Sequence, residues 1–223
     1  MTSTALITPA DGLLRAGVHD ELRRRFVTGK VMPGTLLSTR SLAQELGVSQ
    51  MPVREAVSRL AAEGAVEIRS KRRIVVPAMT EGRFRDLLRC RELLEPEAAA
   101  AAVKHIDPAR LKRLRVVDDA LGVALKSGDV EAYMERNFEF HFLIYRAQPR
   151  PTMTQLIETL WLQFGPYMRV VYGRFGTSGL VDQHQLAIKA ISDGSATRLK
   201  RAILADIRDG MGLIGKSGFA PGA

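Results

Sequence analysis

The sequence contains a single cysteine, Cys90, among its 223 residues, so no disulfide can form within the chain. A chain without disulfides is typical of a reducing compartment, and we predict a cytoplasmic location. No segment approaches the roughly 18 consecutive apolar residues that a transmembrane helix requires. The first 17 residues also lack a basic start and a long apolar stretch. We therefore expect neither a secretory signal peptide nor a membrane partner.

Motifs of the common enzyme classes are also missing. The sequence shows no nucleophile motif, no phosphate-binding loop and no adjacent general base. Positive charge, in contrast, is plentiful, and the formal net charge is +9. Residues 1–78 hold 12 basic and 7 acidic side chains, against 21 and 17 in residues 79–223. The excess is densest in the N-terminal third, which favours a polyanionic partner such as DNA.

The N-terminal third has the pattern of three helices followed by a β-hairpin. Apolar residues recur at helical spacing over residues 13–27. Ser38 is placed to cap a second helix and Ser49 a third, with the turn Gly47-Val48-Ser49 between them. Alternating apolar residues over 66–76 then predict a hairpin with a basic turn. Two helices joined by a short glycine-containing turn, followed by a hairpin, predict a winged helix-turn-helix over residues 13–77.

Beyond this unit the strand pattern stops and six segments of helical periodicity follow. The segments are Gly82–Val103, Pro108–Ser127, Asp129–Arg146, Thr152–Tyr172, Gly179–Asp193 and Ala196–Met211. Short links separate them, which is typical of a helical bundle. The fold class we predict is therefore mainly α, with an N-terminal winged helix-turn-helix followed by an all-helical bundle of about six helices over residues 80–212.

The predicted second helix of the helix-turn-helix would enter the major groove of DNA with its first residues towards the base edges. Arg54 suits guanine and Gln50 suits adenine, because both side chains can form paired hydrogen bonds. The full set of predicted base-reading side chains is Gln50, Met51, Arg54, Ser58 and Arg59. Hydroxyl and basic side chains at the helix starts and on the wing suit phosphates or the minor groove. These are Ser38, Thr39, Arg40, Ser49, Lys71, Arg72 and Arg73.

The stretch LSTRSLAQELGVSQMPVREAVSRLAAEGAVEI resembles the helix-turn-helix of the GntR family of transcription regulators almost throughout. The preceding VMPGTLL and the hairpin resemble that family as well, so the similarity covers roughly residues 13–77. Two positions depart from the family pattern. Gln50 stands where an arginine is usual, and the wing tip near Arg73 lacks the usual glycine. An ordinary pair of packed helices is the alternative interpretation of these residues.

The remaining chain resembles the FCD domain, the ligand-binding module of the FadR-type branch of that family. The similar segments are DLLRCRELLEPEAAAAA, NFEFHFLIY and the helix around His184. The resemblance implies a divalent metal (Zn, Ni, Mn or Fe) held by Asn137, His141, His184 and Asp206. Asn137 replaces the more common aspartate, and Asp206 stands where a third histidine is usual. Two ordinary core histidines are the alternative.

The resemblance also places Arg91 at a position that faces a cavity for a small-molecule effector, and we predict that Arg169 and Tyr172 line the same cavity. An arginine near a metal would suit a carboxylate effector. From the spacing alone, Arg91 and Glu95 are four residues apart and form an ordinary ion pair on a helix surface. Both interpretations of Arg91 remain open at this point.

These observations predict a transcription regulator, expected to be a repressor, in which an effector changes the affinity for DNA. A single winged helix reads few base pairs, so we expect a homodimer on an inverted-repeat operator. Two alternatives remain. The first is a metal-dependent hydrolase or lyase with an appended helix-turn-helix. In the second, the winged helix binds another protein instead of DNA.

Overall fold

The computed structural model describes the backbone of residues 9–70, 73–175 and 182–216, and the side chains of residues 17–70, 73–169, 182–212 and 215. Within these ranges the chain is mainly α-helical, as predicted, and its strands are confined to one hairpin. No helix in the described part of the chain has a stretch apolar enough to cross a membrane.

The N-terminal unit is a winged helix-turn-helix. Its elements are α1 (Pro9–Val27), α2 (Thr39–Leu46), α3 (Gln50–Ala62), β1 (Glu67–Ser70) and β2 (Arg73–Val75). Ser38 begins α2 through a capping box, in which its side chain and that of Ser41 each accept the other residue's backbone N–H. Gly47 ends α2 at φ 65°, a left-handed conformation that suits glycine. Ser49 precedes α3 as predicted, but its side chain makes no capping hydrogen bond.

The hairpin differs in one respect from its sequence pattern. The alternation predicts that Ile68 shares the inner face with Val66, yet Ile68 is 47% exposed while Val66 is buried. All four residues of β1 are exposed, and the pairing of β1 with β2 is irregular between Ile68 and Ser70. Ile74 remains buried because Leu37 pairs with it from the other side.

In the described part of the chain the C-terminal unit contains six α-helices, as predicted. They are α4 (Glu81–Ala102), α5 (Pro108–Ser127), α6 (Val130–Tyr145), α7 (Pro151–Phe175), α8 (Gln183–Ser192) and α9 (Ala196–Lys216). The predicted start of the fifth segment, at Gly179, lies outside the described residues. In the structure α8 begins at Gln183, because the Asp182 side chain caps it by accepting the N–H of Gln185.

Helix α7 supports the N-terminal unit. The Tyr167 hydroxyl donates a hydrogen bond to the Pro77 carbonyl, and the Gly64 turn packs on Gln163. Arg83 donates to both the Gly64 carbonyl and the Gln163 side chain, each at 2.9 Å. Helix α7 therefore contacts the N-terminal unit directly, in addition to the connecting chain.

Candidate nucleic-acid interface and metal centre

Helix α3 presents a mostly polar face to solvent, because its apolar residues other than Met51 lie mainly on the inner face. Val53, Ala56, Val57 and Leu60 are buried at helical spacing. The side chains left on the outside include most of the predicted DNA-contacting set. Those that are exposed are Arg40, Ser49, Gln50, Met51, Arg54, Ser58, Arg59 and Arg73.

Three groups of the predicted DNA-contacting residues stand apart from this surface. Ser38 is half-buried, and its hydroxyl is engaged in the capping box. Thr39 is buried at the start of α2, which leaves its hydroxyl little access to a phosphate. Lys71 and Arg72 lie outside the described residues.

The side chains of Arg54 and Gln50 are hydrogen-bonded to each other on the exposed face of α3. The Nη2 of Arg54 donates to the Oε1 of Gln50 at 3.5 Å, one helical turn away. Arg54 also borders a cleft of about 200 Å³ between α3 and the hairpin, where Ser58 and Ser70 supply hydroxyl groups. These two of the predicted base-reading side chains are therefore adjacent and open to a ligand.

Three of the four predicted metal ligands converge inside the C-terminal unit. The Nε2 atoms of His141 on α6 and His184 on α8 lie 3.4 Å apart. Asp206 on α9 places one carboxylate oxygen 3.2 Å from the Nε2 of His141 and the other 3.7 Å from that of His184. Both histidines are buried, and Asp206 is half-buried. Asn137 is also buried and lies one turn before His141 on α6.

Hydrogen bonds on the far side of each imidazole fix its tautomer. The Nδ1 of His184 lies 3.2 Å from a carboxylate oxygen of Asp118, which can only accept, so this nitrogen carries a hydrogen. The Nδ1 of His141 lies 3.1 Å from the Tyr145 hydroxyl. That hydroxyl donates its one hydrogen to Glu95 at 2.8 Å, so His141 must donate to it. Both Nδ1 atoms are therefore donors, and in the neutral rings both Nε2 atoms are lone-pair acceptors.

The inner surface of the cluster consists of acceptors facing one another. Two imidazole Nε2 atoms and two carboxylate oxygens meet, and none of the four carries a hydrogen when the histidines are neutral and Asp206 is ionised. Such a set is satisfied by a cation or by a proton taken up on one of the rings. Nitrogen and oxygen donors of this kind suit Zn, Ni, Mn or Fe(II), so the residues present fit a divalent metal ion.

Burial and neighbouring charges set the protonation of the cluster. Burial lowers the pKa of His141 and outweighs the hydrogen bond and the charge of Asp206. Burial acts in the same direction on His184, but its hydrogen bond to Asp118 and the charges of Asp206 and Asp118 raise its pKa overall. Desolvation opposes ionisation of Asp206, yet the hydrogen bond that His141 donates when protonated and the charges of the protonated imidazoles and Arg91 lower its pKa to about 2.

Arg91 is buried beside this cluster, so the interpretation of Arg91 and Glu95 as a surface pair is wrong. Arg91 donates from Nε and Nη2 to the two carboxylate oxygens of Glu95, at 2.5 and 3.1 Å, and both side chains are almost fully buried. Its guanidinium carbon lies 3.8 Å from the ring centre of Phe164 and 5.1 Å from that of Trp161. The pair is buried because this face of α4 packs against α6 and α7.

The other two predicted effector contacts have different positions. Arg169 packs on Gly29 at the contact between α1 and α7, and its Nη1 lies 3.8 Å from a Glu131 oxygen. Neither of these contacts places Arg169 beside Arg91. The side chain of Tyr172 lies outside the described residues.

Three residues of the centre have no predicted role from the sequence. Asp118 and Tyr145 hold the two imidazoles, and Tyr145 had a detectable signal because it follows His141 by four residues. Asp118 is distant in sequence from both histidines and gives no such signal. The third is Trp161, whose ring lies 5.3 Å from that of His141. Its indole N–H is buried and has no hydrogen-bond acceptor among the described residues.

A basic winged helix-turn-helix mounted on a helical domain with its own buried polar centre is the architecture of a DNA-binding transcription regulator. Comparison with known proteins gives the family. The chain belongs to the gntR family of bacterial regulatory proteins, whose model matches residues 14–76, and it carries an FCD domain over residues 86–209. It is a transcriptional regulator and not an enzyme.

Characterised relatives and solved structures agree with this assignment. The chain is 30% identical to the HTH-type transcriptional regulator McbR of Escherichia coli K12 over 78% of its own length and 80% of the relative's. It is also 30% identical to the gluconate operon transcriptional repressor of Bacillus subtilis 168, over 86% and 82%. The structure of E. coli McbR/YncC superposes with a TM-score of 0.85 at 26% identity, covering 92% of this chain and 98% of that one. The proposed hydrolase or lyase finds no support among these relatives.

Proposed function

We propose that the protein is a metal-dependent, effector-controlled repressor that binds DNA as a homodimer in the cytoplasm. The observation that carries this proposal is the acceptor cluster of His141, His184 and Asp206. A buried group of acceptors is unfavourable unless it holds a cation or takes up a proton, because with both imidazoles neutral nothing in the group can donate a hydrogen bond. Asn137, one turn before His141, is the proposed fourth ligand. The bound ion would hold three helices together and offer an open position to an effector oxygen.

The proposed effector is a small carboxylate. A carboxylate can share its oxygens between a metal ion and nearby donors. Arg91 uses two of its nitrogens on Glu95, which leaves one nitrogen outside that ion pair. The indole N–H of Trp161 is a second buried donor. An unpaired buried donor costs about 1–3 kcal/mol, and an effector oxygen would recover that cost.

The proposed route from this centre to DNA runs through α6 and α7. Helix α6 carries His141, and its first turns form ion pairs with the end of α1 and the chain that follows it. Glu135 lies 2.8 Å from Arg24, and Glu131 lies 2.7 Å from Lys30. Helix α7 carries Trp161 and Phe164 beside Arg91 and supports the winged helix on another face. A ligand that moves either helix therefore changes the support of the DNA-binding unit.

The repressor assignment follows the name of one relative, the gluconate operon transcriptional repressor. Repression requires that the effector bind one arrangement of the dimer better than the other, so that its binding weakens the grip on the operator. Two winged helices in one dimer would read an inverted repeat. The exposed set on α2, α3 and β2 supports such a contact, with Arg54 and Gln50 towards the bases.

To test this proposal, genomic DNA fragments that bind the purified protein are isolated and sequenced. The affinity of the protein for the recovered site is then measured by fluorescence anisotropy. We expect salt-sensitive, site-specific binding at nanomolar protein. The same titrations are repeated after a chelator removes divalent metal and again after the metal is restored. We expect the metal to alter the change in DNA affinity that candidate carboxylates cause, and to alter the DNA affinity without carboxylate much less. Binding that does not distinguish the selected site from random duplex contradicts the proposed operator recognition.

A further inference from the structure

Each imidazole of the acceptor cluster is held from behind by its own chain of hydrogen bonds. Behind His184, Asp118 accepts from Nδ1 and is itself bound by the side-chain amide of Gln185. Asp118 is 7% exposed and reaches His184 from a different helix, α5. The Asp118 carboxylate therefore accepts the hydrogen bond of His184 at a point where solvent has almost no access.

The chain behind His141 is longer and passes through a neutral group. The Tyr145 hydroxyl accepts from His141 Nδ1 and donates to Glu95, whose two oxygens are bound by Arg91. All four side chains are buried. The hydroxyl of Tyr145 can serve as an acceptor here only because Glu95 takes its hydrogen, and Glu95 stays in place because Arg91 holds it.

Ring contacts limit the alternatives open to the two imidazoles. The His184 ring stacks on Phe140 at 4.0 Å with an interplanar angle of 16°. The His141 ring packs against Phe140 and Trp161 at 5.7 and 5.3 Å. Packing confines each ring, while the outer hydrogen bonds decide which nitrogen carries the hydrogen.

We propose that Asp118 and Tyr145 are positioning residues for a divalent metal, and that Arg91 acts on the same ion indirectly through Glu95. This inference rests on the proposed metal site. The two chains place both Nε2 lone pairs inwards before any ion arrives, so metal binding does not have to reorient a ring or move a proton between its nitrogens. Outer partners of this kind typically contribute 10–100-fold in metal affinity.

The test measures Zn²⁺ affinity by isothermal titration of the untagged, metal-free, full-length chain. Tyr145→Phe removes only the hydroxyl, and we expect Zn²⁺ to bind roughly 10–100-fold more weakly. Asp118→Ala should lose a similar factor. Asp118→Asn should recover part of that loss, because its amide oxygen still accepts from Nδ1. Two matched controls, Tyr167→Phe at the contact with Pro77 and Asp119→Asn on the exposed side of α5, should bind Zn²⁺ as the unmodified chain does.

A second readout separates positioning from a general effect on folding. In the ¹⁵N-labelled Zn²⁺ form, the Nδ1–H signal of His141 should be protected from exchange and should lose that protection in Tyr145→Phe, while that of His184 is unchanged. Gln185→Ala alters only a side chain at the edge of α8, so it tests the Asp118 chain without disturbing the core. It should weaken Zn²⁺ binding by a smaller factor than Asp118→Ala.

The outcomes distinguish this inference from the proposal on which it rests. If the unmodified chain binds none of Zn²⁺, Ni²⁺ and Mn²⁺, the metal site itself is wrong. If it binds Zn²⁺, and Tyr145→Phe, Asp118→Ala and Gln185→Ala all retain its affinity, the metal site stands and the positioning roles are overturned.

Discussion

Gly165 on α7 lies directly against Val27 at the end of α1. A Cβ atom at Gly165 would lie 2.9 Å from the Val27 Cα, and closer still to the carbonyl oxygen of Phe26. Gly29, at φ 67°, meets the next turn of α7 through the Cβ of Arg169. At Gly165 the two helices therefore approach each other so closely that backbone meets backbone, between the DNA-binding unit and the FCD domain.

Gly165→Ala should force α1 and α7 apart. Because the clash is with backbone and cannot be relieved by a side-chain rotation, we expect a loss of about 1–3 kcal/mol in the free energy of unfolding. Gly122→Ala on α5 is the matched control, since nothing lies within 4 Å of the added Cβ there. That control should be neutral or slightly stabilising. Equal melting temperatures for the two variants would contradict the close contact.

Arg54→Ala should weaken binding to the selected operator by roughly 1–3 kcal/mol and relax the preference at one base pair, because Arg54 projects from the exposed face of α3. Arg40→Ala, at the start of α2, should instead weaken specific and random duplexes alike and reduce the salt dependence. Anisotropy titrations on both duplexes separate the two roles. If Arg54→Ala lost the same affinity for both duplexes, Arg54 would contact only phosphate and not a base.

His141→Ala should abolish metal binding, because it removes a central member of the acceptor cluster. The ion binds the folded bundle and not the unfolded chain, so added Zn²⁺ should raise the melting temperature of the unmodified protein but not that of the variant. His105→Ala is the control, since His105 is exposed. Elemental analysis of untagged protein gives the expected stoichiometry of one ion per chain. Basal DNA affinity should change little.

The increase in melting temperature caused by Zn²⁺ should shrink as the pH falls. Protons compete with the ion for both imidazoles, and the raised pKa of His184 makes that ring the first to take one up. In the metal-free protein the same raised pKa is a stabilising contribution, fully present below pH 6.5 and lost as the pH rises through the folded value. Melting curves with and without Zn²⁺ between about pH 5.5 and 8 test this. A shift that stays constant across that range would contradict ligation by these rings.

The proposed homodimer predicts that light scattering at micromolar concentration gives twice the chain mass of 24.6 kDa. Two chains should bind each operator duplex, and shortening that duplex to one half-site should cost most of the affinity. A monomer that binds one to one would contradict the dimer.

The sequence predicts the helices well where apolar spacing and caps agree, as at Ser38 and Gly47. It also indicates His141 and His184, because the resemblance to the FCD domain marks them individually. The burial of Arg91 and Glu95 could not be predicted, since their spacing is the same on a surface as in a core. Asp118 could not be predicted either, because it reaches His184 only through the packing of α5 against α8.

Trp161 is the only tryptophan in the chain, and it lies within about 5 Å of both Arg91 and the His141 ring. Trp161 is therefore an intrinsic fluorescence probe located beside the proposed metal and effector site. Changes in its ultraviolet emission on adding metal or a carboxylate arise from one known position. The same helix supports the winged helix, so that emission can be followed while operator DNA is bound and released, without any attached dye.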